Sequence, residues 1–511
     1  MRLDRSGGVF CHVTSLPGRH GIGDLGDGAE AFLSFLGDAD IGHWQVCPLG
    51  PTMDAAGESP YQSPSAFAGN PLLIDLDGLV DDGWLDESDL EPVPDFPDDR
   101  VDYEAVREYK EPLLRTAFER FDEAGTGEAG TGEAGTGETG AGEAAPEFDD
   151  YREGEPWLDD YALFRALSDA RDEDVWVEWP DPLRTREPEA LADARERHAT
   201  EVRFREFLQW TFDRQWRDLR AVADEEGVSI VGDVPIYVAL DSADVWANPE
   251  AFRLDDGNRP AAVAGVPPNA GDSGQRWGNP VYDWGRLAER DYDWWIARFR
   301  RLFELADVAR LDHFLGFVKY WAIPADRDDP AAGEWREGPG RDLFETVERE
   351  LGQAPFIAED LGFEEPAMDE LMAEFGFPGM RVPQYADWCE EGNQYQPMHY
   401  PEGVVGYTST HDTDTWVGYF EDLPERQREC FRFNVGAEGD RPPEWEIIDD
   451  VWASEAVLAM TTVQDLLGLG SESRFNEPGT LDGNWEWRVR PEALDDAIAD
   501  RLWDLAGRHV R

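Results

Sequence analysis

Eight short apolar runs recur along the chain, each closing on a polar or glycine-rich loop. They are "GGVFCHVTSL" (7–16), "HWQVCPLG" (43–50), "VSIVGDVPIYV" (228–238), "ADVARLD" (306–312), "PFIAED" (355–360), "MRVPQYA" (380–386), "VVGYTSTHD" (404–412) and "VLAMTTVQDLLGLG" (457–470). Near-continuous apolar runs bounded by turn residues read as strands buried on both faces. Amphipathic, helix-like segments separate several of them, 203–226 and 292–305 among them. Strands alternating with helices give a mainly parallel sheet. Eight of them in 511 residues fit an α/β fold, a (β/α)8 TIM barrel with largely helical insertions, as one domain over 1–511. An open doubly wound sheet is the alternative, but no GxGxxG follows a strand to mark a dinucleotide site. The span 78–210 has no clear strand and reads as a mostly helical insertion. Inside it, 123–147 is built on a repeated AGTGE unit. Gly, Thr and Glu cannot bury enough surface to fold, so this stretch reads as a flexible, solvated loop.

The polar residues that carry chemistry stand at the C-terminal ends of these runs, which in a barrel form the active-site face. In Arg310-Leu311-Asp312-His313, side chains two apart on a strand share a face. Arg310 therefore lies beside Asp312, and a guanidinium favours the charged form of a neighbouring carboxylate, as a nucleophilic carboxylate requires. Glu359 ends its own run. In a pocket shared with Asp312 and Asp412, like-charge repulsion would keep it protonated and able to donate to a leaving oxygen. One ionised and one protonated carboxyl group is the pair used in glycoside cleavage. Asp412, next to His411, would be a third acid able to bind sugar hydroxyls, with the imidazole donating to them. Asp360 follows Glu359 and reads either as a substrate contact or as a support behind it. Asp412-Thr413-Asp414 has the form of a metal-binding DxD, but with 111 acidic residues that pattern arises by chance, and no metal is assigned. Each motif alone could be a capped or salt-bridged loop. Three of them at strand ends favour a site.

Charge excludes several partners. The chain has 111 acidic and 45 basic residues, net −66, which repels nucleic acid and anionic membranes. Only Lys110 and Lys319 are lysines, so 43 of the 45 basic residues are arginine. Disorder does not accompany 21 tryptophans. The composition reads instead as a halophile's surface, since molar salt shortens the screening length to about 3 Å. A melt that rises between 0.1 M and 3 M KCl is the expected behaviour. The same charge disfavours self-association and predicts a monomer. Cys11, Cys47, Cys389 and Cys430 lack CxxC or zinc spacing and read as buried, reduced hydrophobes. With no signal-peptide core at the N-terminus and no apolar run near the roughly 20 residues of a membrane span, a soluble cytoplasmic protein is expected.

Several long motifs resemble the amylomaltases, the 4-α-glucanotransferases of glycoside hydrolase family 77. They are "SPYQSPSAFAGNPLLIDL" (59–76), "GDVPIYV" (232–238), "SGQRWGNPVYDW" (273–284), "ARLDHFLGF" (309–317), "IAEDLG" (357–362), "FGFPGMRV" (375–382) and "YTSTHDTDTW" (407–416). The resemblance runs from "HVTSLPGRHGIGDLG" (12–26) to "SRFNEPGTLDGNWEWR" (473–488), except over 78–210. It implies a retaining double displacement on α-1,4-glucans such as maltooligosaccharides, starch or glycogen-like polymers. Asp312 would be the nucleophile, Glu359 the acid and then the base, and Asp412 the transition-state stabiliser. Arg310, His411, Asp233 and Tyr61 match positions lining the donor subsite. Gln275, Trp277 and His313 match nearby substrate contacts, the first two within a substrate-covering loop region, 241–290. Tyr61 and Trp277 would otherwise read as core packing. The family uses no metal or organic cofactor. Two departures stand out. "GVPPNAGDSGQ" places Asn269, Ala270 and Gly271 where the family carries an acidic residue and two aromatics, and "PTMDAAGESPY" (51–61) replaces a shorter Tyr-containing loop. In the family the first loop covers acceptor sugars and excludes water, so an α-1,4-glucan hydrolase with the same carboxylates is the alternative; the second bears on a secondary glucan-binding patch and on the making of large cyclic glucans. A non-catalytic glucan-binding barrel would not need a nucleophile and an acid.

Overall fold

The computed structural model describes residues 3–125, 141–171, 175–269, 273–362, 364–436 and 442–511. Each apolar run carries a strand: β1 (Ser6–Phe10), β2 (His43–Gln45), β3 (Ser229–Val234), β4 (Val308–Leu311), β5 (Phe356–Ala358), β6 (Gly379–Arg381), β7 (Val404–Tyr407) and β8 (Leu458–Thr462). All are parallel, in the order β6-β7-β8-β1-β2-β3-β4-β5. Across the remaining seam the Ala358 amide donates to the Pro378 carbonyl at 2.9 Å. The sheet is thus a barrel, and the fold is (β/α)8.

Alternation along the strands sorts the side chains. Val231, Val308, Ile357, Val405, Leu458 and Met460 fill the barrel interior. Ala309, Leu311, Phe356 and Ala358, one residue out of phase, pack outward on the helices. By the same period Arg310 and Glu359 follow Val308 and Ile357 onto the inner face. The strands are shorter than the apolar runs, and the surplus residues form the loops above the barrel. Helix Ala199–Glu226 ends at Gly227, whose φ of 72° is the left-handed conformation that closes a helix without a Cβ penalty. Helix Asp293–Leu305 buries Trp295, Ile296 and Phe299 and leads into β4.

Among the described residues of 78–210 there are helices and turns but no strand. The repeat stretch is corrected at its ends. Residues 123–125 complete helix Tyr103–Gly125, and 141–147 begin helix Ala141–Gly154. Phe121 and Phe148 meet edge to face at 5.3 Å, so the two helices share a core that extends their order toward the repeat. Residues 126–140 lie outside the described residues. A second correction concerns 241–290, which is more than loop. Gln275–Pro280 and Ala262–Val266 join Lys319–Pro324 and Glu334–Glu337 in a four-stranded antiparallel sheet. The cysteines split. Cys11 and Cys47 are buried thiols, whereas Cys389 and Cys430 form a disulfide with Cα atoms 5.3 Å apart. Residue spacing could not foresee that pair, because the loop and helix that carry it converge only in the fold. No helix among the described residues is long and apolar enough to cross a membrane.

Candidate active site

Asp233 and Arg310 are register partners on β3 and β4, so their side chains lie next to each other inside the barrel mouth. Arg310 Nη1 donates to both Asp233 oxygens, at 2.9 and 2.7 Å, and pairs with Asp312 Oδ1 at 3.0 Å. The Tyr61 hydroxyl donates to Asp233 Oδ2 at 2.9 Å, and its oxygen lies 2.9 Å from His411 Nε2. That nitrogen is in turn 3.3 Å from Asp412 Oδ2. A continuous polar chain therefore links Asp312, Arg310, Asp233, Tyr61, His411 and Asp412. Burial works against the Arg310 charge, but Asp233 and Asp312 hold its pKa well above the ordinary value.

The other two acids are held on opposite terms. Burial raises Glu359 to about 7; Arg310 opposes the rise and Asp312 adds to it. Its oxygens accept from the His313 amide at 2.7 Å and the Leu361 amide at 3.0 Å. Burial would also raise Asp412, but His411 at its side and the Asn476 amide, donating at 2.6 Å, bring it well below the usual carboxylate range. Glu359 therefore keeps its proton to far higher pH than Asp412, which is ionised near neutrality.

His313 has φ of +49°, an uncommon conformation for a residue with a Cβ. It aims the amide at Glu359 while the ring meets Trp277 edge-on, with centroids 4.9 Å apart. Burial lowers His313 to about 4, so the imidazole is neutral at pH 7. Trp277 Nε1 donates to Gln275 Oε1 at 2.8 Å, and both residues stand on the antiparallel sheet.

A cleft of about 550 Å³ opens above these groups and is lined by Asp312, Glu359, Asp412, Arg310, His313, Tyr61, Gln275 and Trp277. Asp233 and His411 sit behind Tyr61. Asp360 does not reach the cleft. Its carboxylate accepts from the Met380 amide at 2.7 Å and pairs with Arg381 at 3.0 Å, tying β5 to β6. A Cβ on Gly379 would stand 2.4 Å from that carboxylate. Asp414 likewise turns away, accepting from Ser471 Oγ at 2.6 Å and the Thr415 amide at 2.7 Å. Sequence reasoning missed Asn476, Trp485 and Tyr385, all of which line the cleft. Tyr385 sat inside a run read as strand, but β6 stops at Arg381 and a short 3-10 turn carries the tyrosine. Asn476 and Trp485 lie within "SRFNEPGTLDGNWEWR", where nothing but motif context singles them out.

Fold and site together define a carbohydrate-active barrel enzyme built around three carboxylates. The chain belongs to glycoside hydrolase family 77, described as 4-alpha-glucanotransferase, whose pattern matches residues 11–494. It is 43% identical to the 4-alpha-glucanotransferase of Synechocystis sp. over 99% of this chain and 98% of that one. It is 42% identical to that of Thermus thermophilus, over 99% of each. Its fold superposes on the amylomaltase from Streptococcus agalactiae, solved in complex with acarbose, with a TM-score of 0.93, 36% identity and 99% coverage of both chains.

Proposed function

We propose that this cleft performs the family's 4-α-glucanotransferase reaction by a retaining double displacement, moving α-1,4-glucan segments to glucose or another glucan. Asp312 attacks the anomeric carbon as the glycosidic C–O bond breaks, and Glu359 gives its proton to the departing oxygen. The product is a glycosyl ester on Asp312. An acceptor hydroxyl then attacks the same carbon, passes its proton to Glu359 and displaces Asp312. Asp412, ionised, accepts from sugar hydroxyls as positive charge grows on the ring. Arg310 keeps Asp312 and Asp233 in place, and Trp277 offers a wall against which a sugar can stack. His313, neutral, hydrogen-bonds sugar hydroxyls rather than acting as a base, and the region 241–290 covers the substrate through Gln275 and Trp277.

The observation that carries this reading is that one cleft holds both Glu359, raised to about 7, and Asp312, ion-paired with Arg310 at 3.0 Å, with Asp412 held low beside His411. A protonated acid and an ionised nucleophile in one site is the pairing that retaining glycoside chemistry requires. Transfer is favoured over hydrolysis by the relatives' shared activity. Of the departing loop, Ala270 and Gly271 lie outside the described residues. The test is incubation with maltotriose in 3 M KCl, following products and reducing ends together. Longer maltooligosaccharides plus glucose at constant reducing ends is the expected result. A rise in reducing ends without longer products would replace transfer by hydrolysis.

A further inference from the structure

Asp412 sits near the tip of a loop, 408–416, whose two ends meet at one buried carboxylate outside the cleft. Asp465, just past the end of β8, has no exposed surface. Its Oδ2 accepts from Thr408 Oγ1 at 2.6 Å and from Ser409 Oγ. Its Oδ1 accepts from the Trp416 amide at 2.7 Å. Thr408 and Ser409 open the loop and Trp416 closes it, so one side chain brackets the whole excursion. Its own amide is fixed by Thr462 Oγ1 at 3.2 Å, which ties the bracket to the barrel wall. The Thr408 amide adds one more ladder bond, to the Met460 carbonyl at 3.0 Å.

Within the loop, bonds are local. The Thr410 amide donates to Thr413 Oγ1 at 2.9 Å and the Asp412 amide to Thr410 Oγ1 at 3.3 Å. These shape the loop but do not attach it to the barrel. Outside it, Asn476 and Arg474 hold Asp412 from the rim side, through its Oδ1 at 2.6 Å and its carbonyl at 2.7 Å. Tyr61 meets His411, and Ser471 and Gln384 hold Asp414, but Asp465 is the group that joins the loop's two ends to the barrel.

We infer that Asp465 is a positioning residue for the transfer reaction, setting the height and angle at which Asp412 and His411 face the sugar. It touches no substrate and acts through the loop. The inference rests on the role given to Asp412 above. Misplacing a reacting group by about 1 Å can cost on the order of 100-fold in rate, and a group that acts mainly in the transition state loses kcat more than KM.

The experiment compares D465A, D465N and D412N with maltotriose as donor and acceptor, alongside thermal melts that fix the folded fraction. D465A is expected to lower kcat by roughly 100-fold with KM within about threefold of the parent. D465N is expected to recover most of that loss. Its carbonyl can still accept from Trp416, and its amide can donate to the hydroxyls of Thr408 and Ser409, which also accept. A D465A protein that melts early but keeps the parent's kcat per folded molecule would overturn the inference, because the carboxylate would then serve stability alone. Equal losses in D465A and D465N would overturn it as well, making charge rather than geometry the cause. Should D465A not fold, T408V/S409A removes two of the three loop donors, and an unchanged kcat there has the same overturning force. Full activity in D412N would instead sink the role given to Asp412, leaving the two failures distinguishable.

Discussion

At the floor of the site, Arg310 in the cleft wall and Asp233 and His411 behind Tyr61 are 4, 5 and 3% exposed, and each is held by charged or hydroxyl partners on other strands or loops. On the rim, Tyr385, on its short 3-10 turn, and Leu481 are 52 and 65% exposed. The difference separates two jobs. The floor fixes protonation states and the line of attack, which tolerate little displacement. The rim meets sugars away from the broken bond, where contacts change binding more than chemistry. The largest expected effect is therefore on the floor. E359Q or D412N should lower kcat by about 100- to 10,000-fold, measured as glucose release from maltotriose, whereas L481A should change it by no more than a few-fold. A floor variant that keeps a tenth of the parent's kcat would erase the distinction.

Acidity sharpens the same contrast. Because Glu359 is raised to about 7, kcat/KM should fall as pH rises through that value and the acid loses its proton. Asp412 is held so low that it sets no limb in the neutral range. The stability consequence has a definite sign. As pH climbs from the ordinary Glu range toward 7, the unfolded chain releases this proton before the folded one does. The folded state is thus progressively disfavoured across that window. Melts of the parent and of E359Q should diverge with rising pH, the parent losing about 2–3 kcal/mol that the variant does not. Parallel curves would mean that Glu359 is not raised.

How much of this was readable in advance follows the same division. All eight strands were legible, because a strand buried on both faces leaves an unbroken apolar run and each run ends on polar residues. Arg310 and Asp312 could be placed on one face by alternation alone, whereas Glu359 stands at the end of a different strand whose facing alternation does not relate to theirs. Their partners could not. That Tyr61 reaches Asp233 and His411 depends on a loop 172 residues from one and 350 from the other. Asp360 shows the limit from the other side: it adjoins Glu359 in sequence but faces β6, since neighbours on an extended chain point apart. The antiparallel sheet that 241–290 joins escaped notice because Gly265, Gly278 and Pro280 interrupt its strands and Gln275–Pro280 is half-exposed. Local pattern gave no reason to bury Asp465 beneath the loop it holds.

The rim has one tether that tests whether it can be moved without disturbing the floor. Glu58, at φ of +61°, lies in the departing 51–61 loop just ahead of Tyr61. Its Oε1 accepts from Arg107 Nη1 at 2.7 Å, and its Oε2 from Thr52 Oγ1 at 2.6 Å and from Arg107 Nη2. Arg107 belongs to helix Tyr103–Gly125 of the insertion, so an element remote from the barrel sets the height of this loop. The next residue back, Gly57, is pressed against the opposite rim, where an added Cβ would stand 2.6 Å from the Leu481 carbonyl oxygen. R107A leaves Glu58 half-satisfied and frees the loop, while Tyr61 keeps its own bonds to Asp233 and His411. KM for maltoheptaose should therefore rise a few-fold with kcat within about twofold. E58Q/R107A should be no worse than R107A, because groups that share one contact are not additive. A fall in kcat as large as that of the floor variants would instead show that the loop and Tyr61 move as one body, and that rim and floor are a single device.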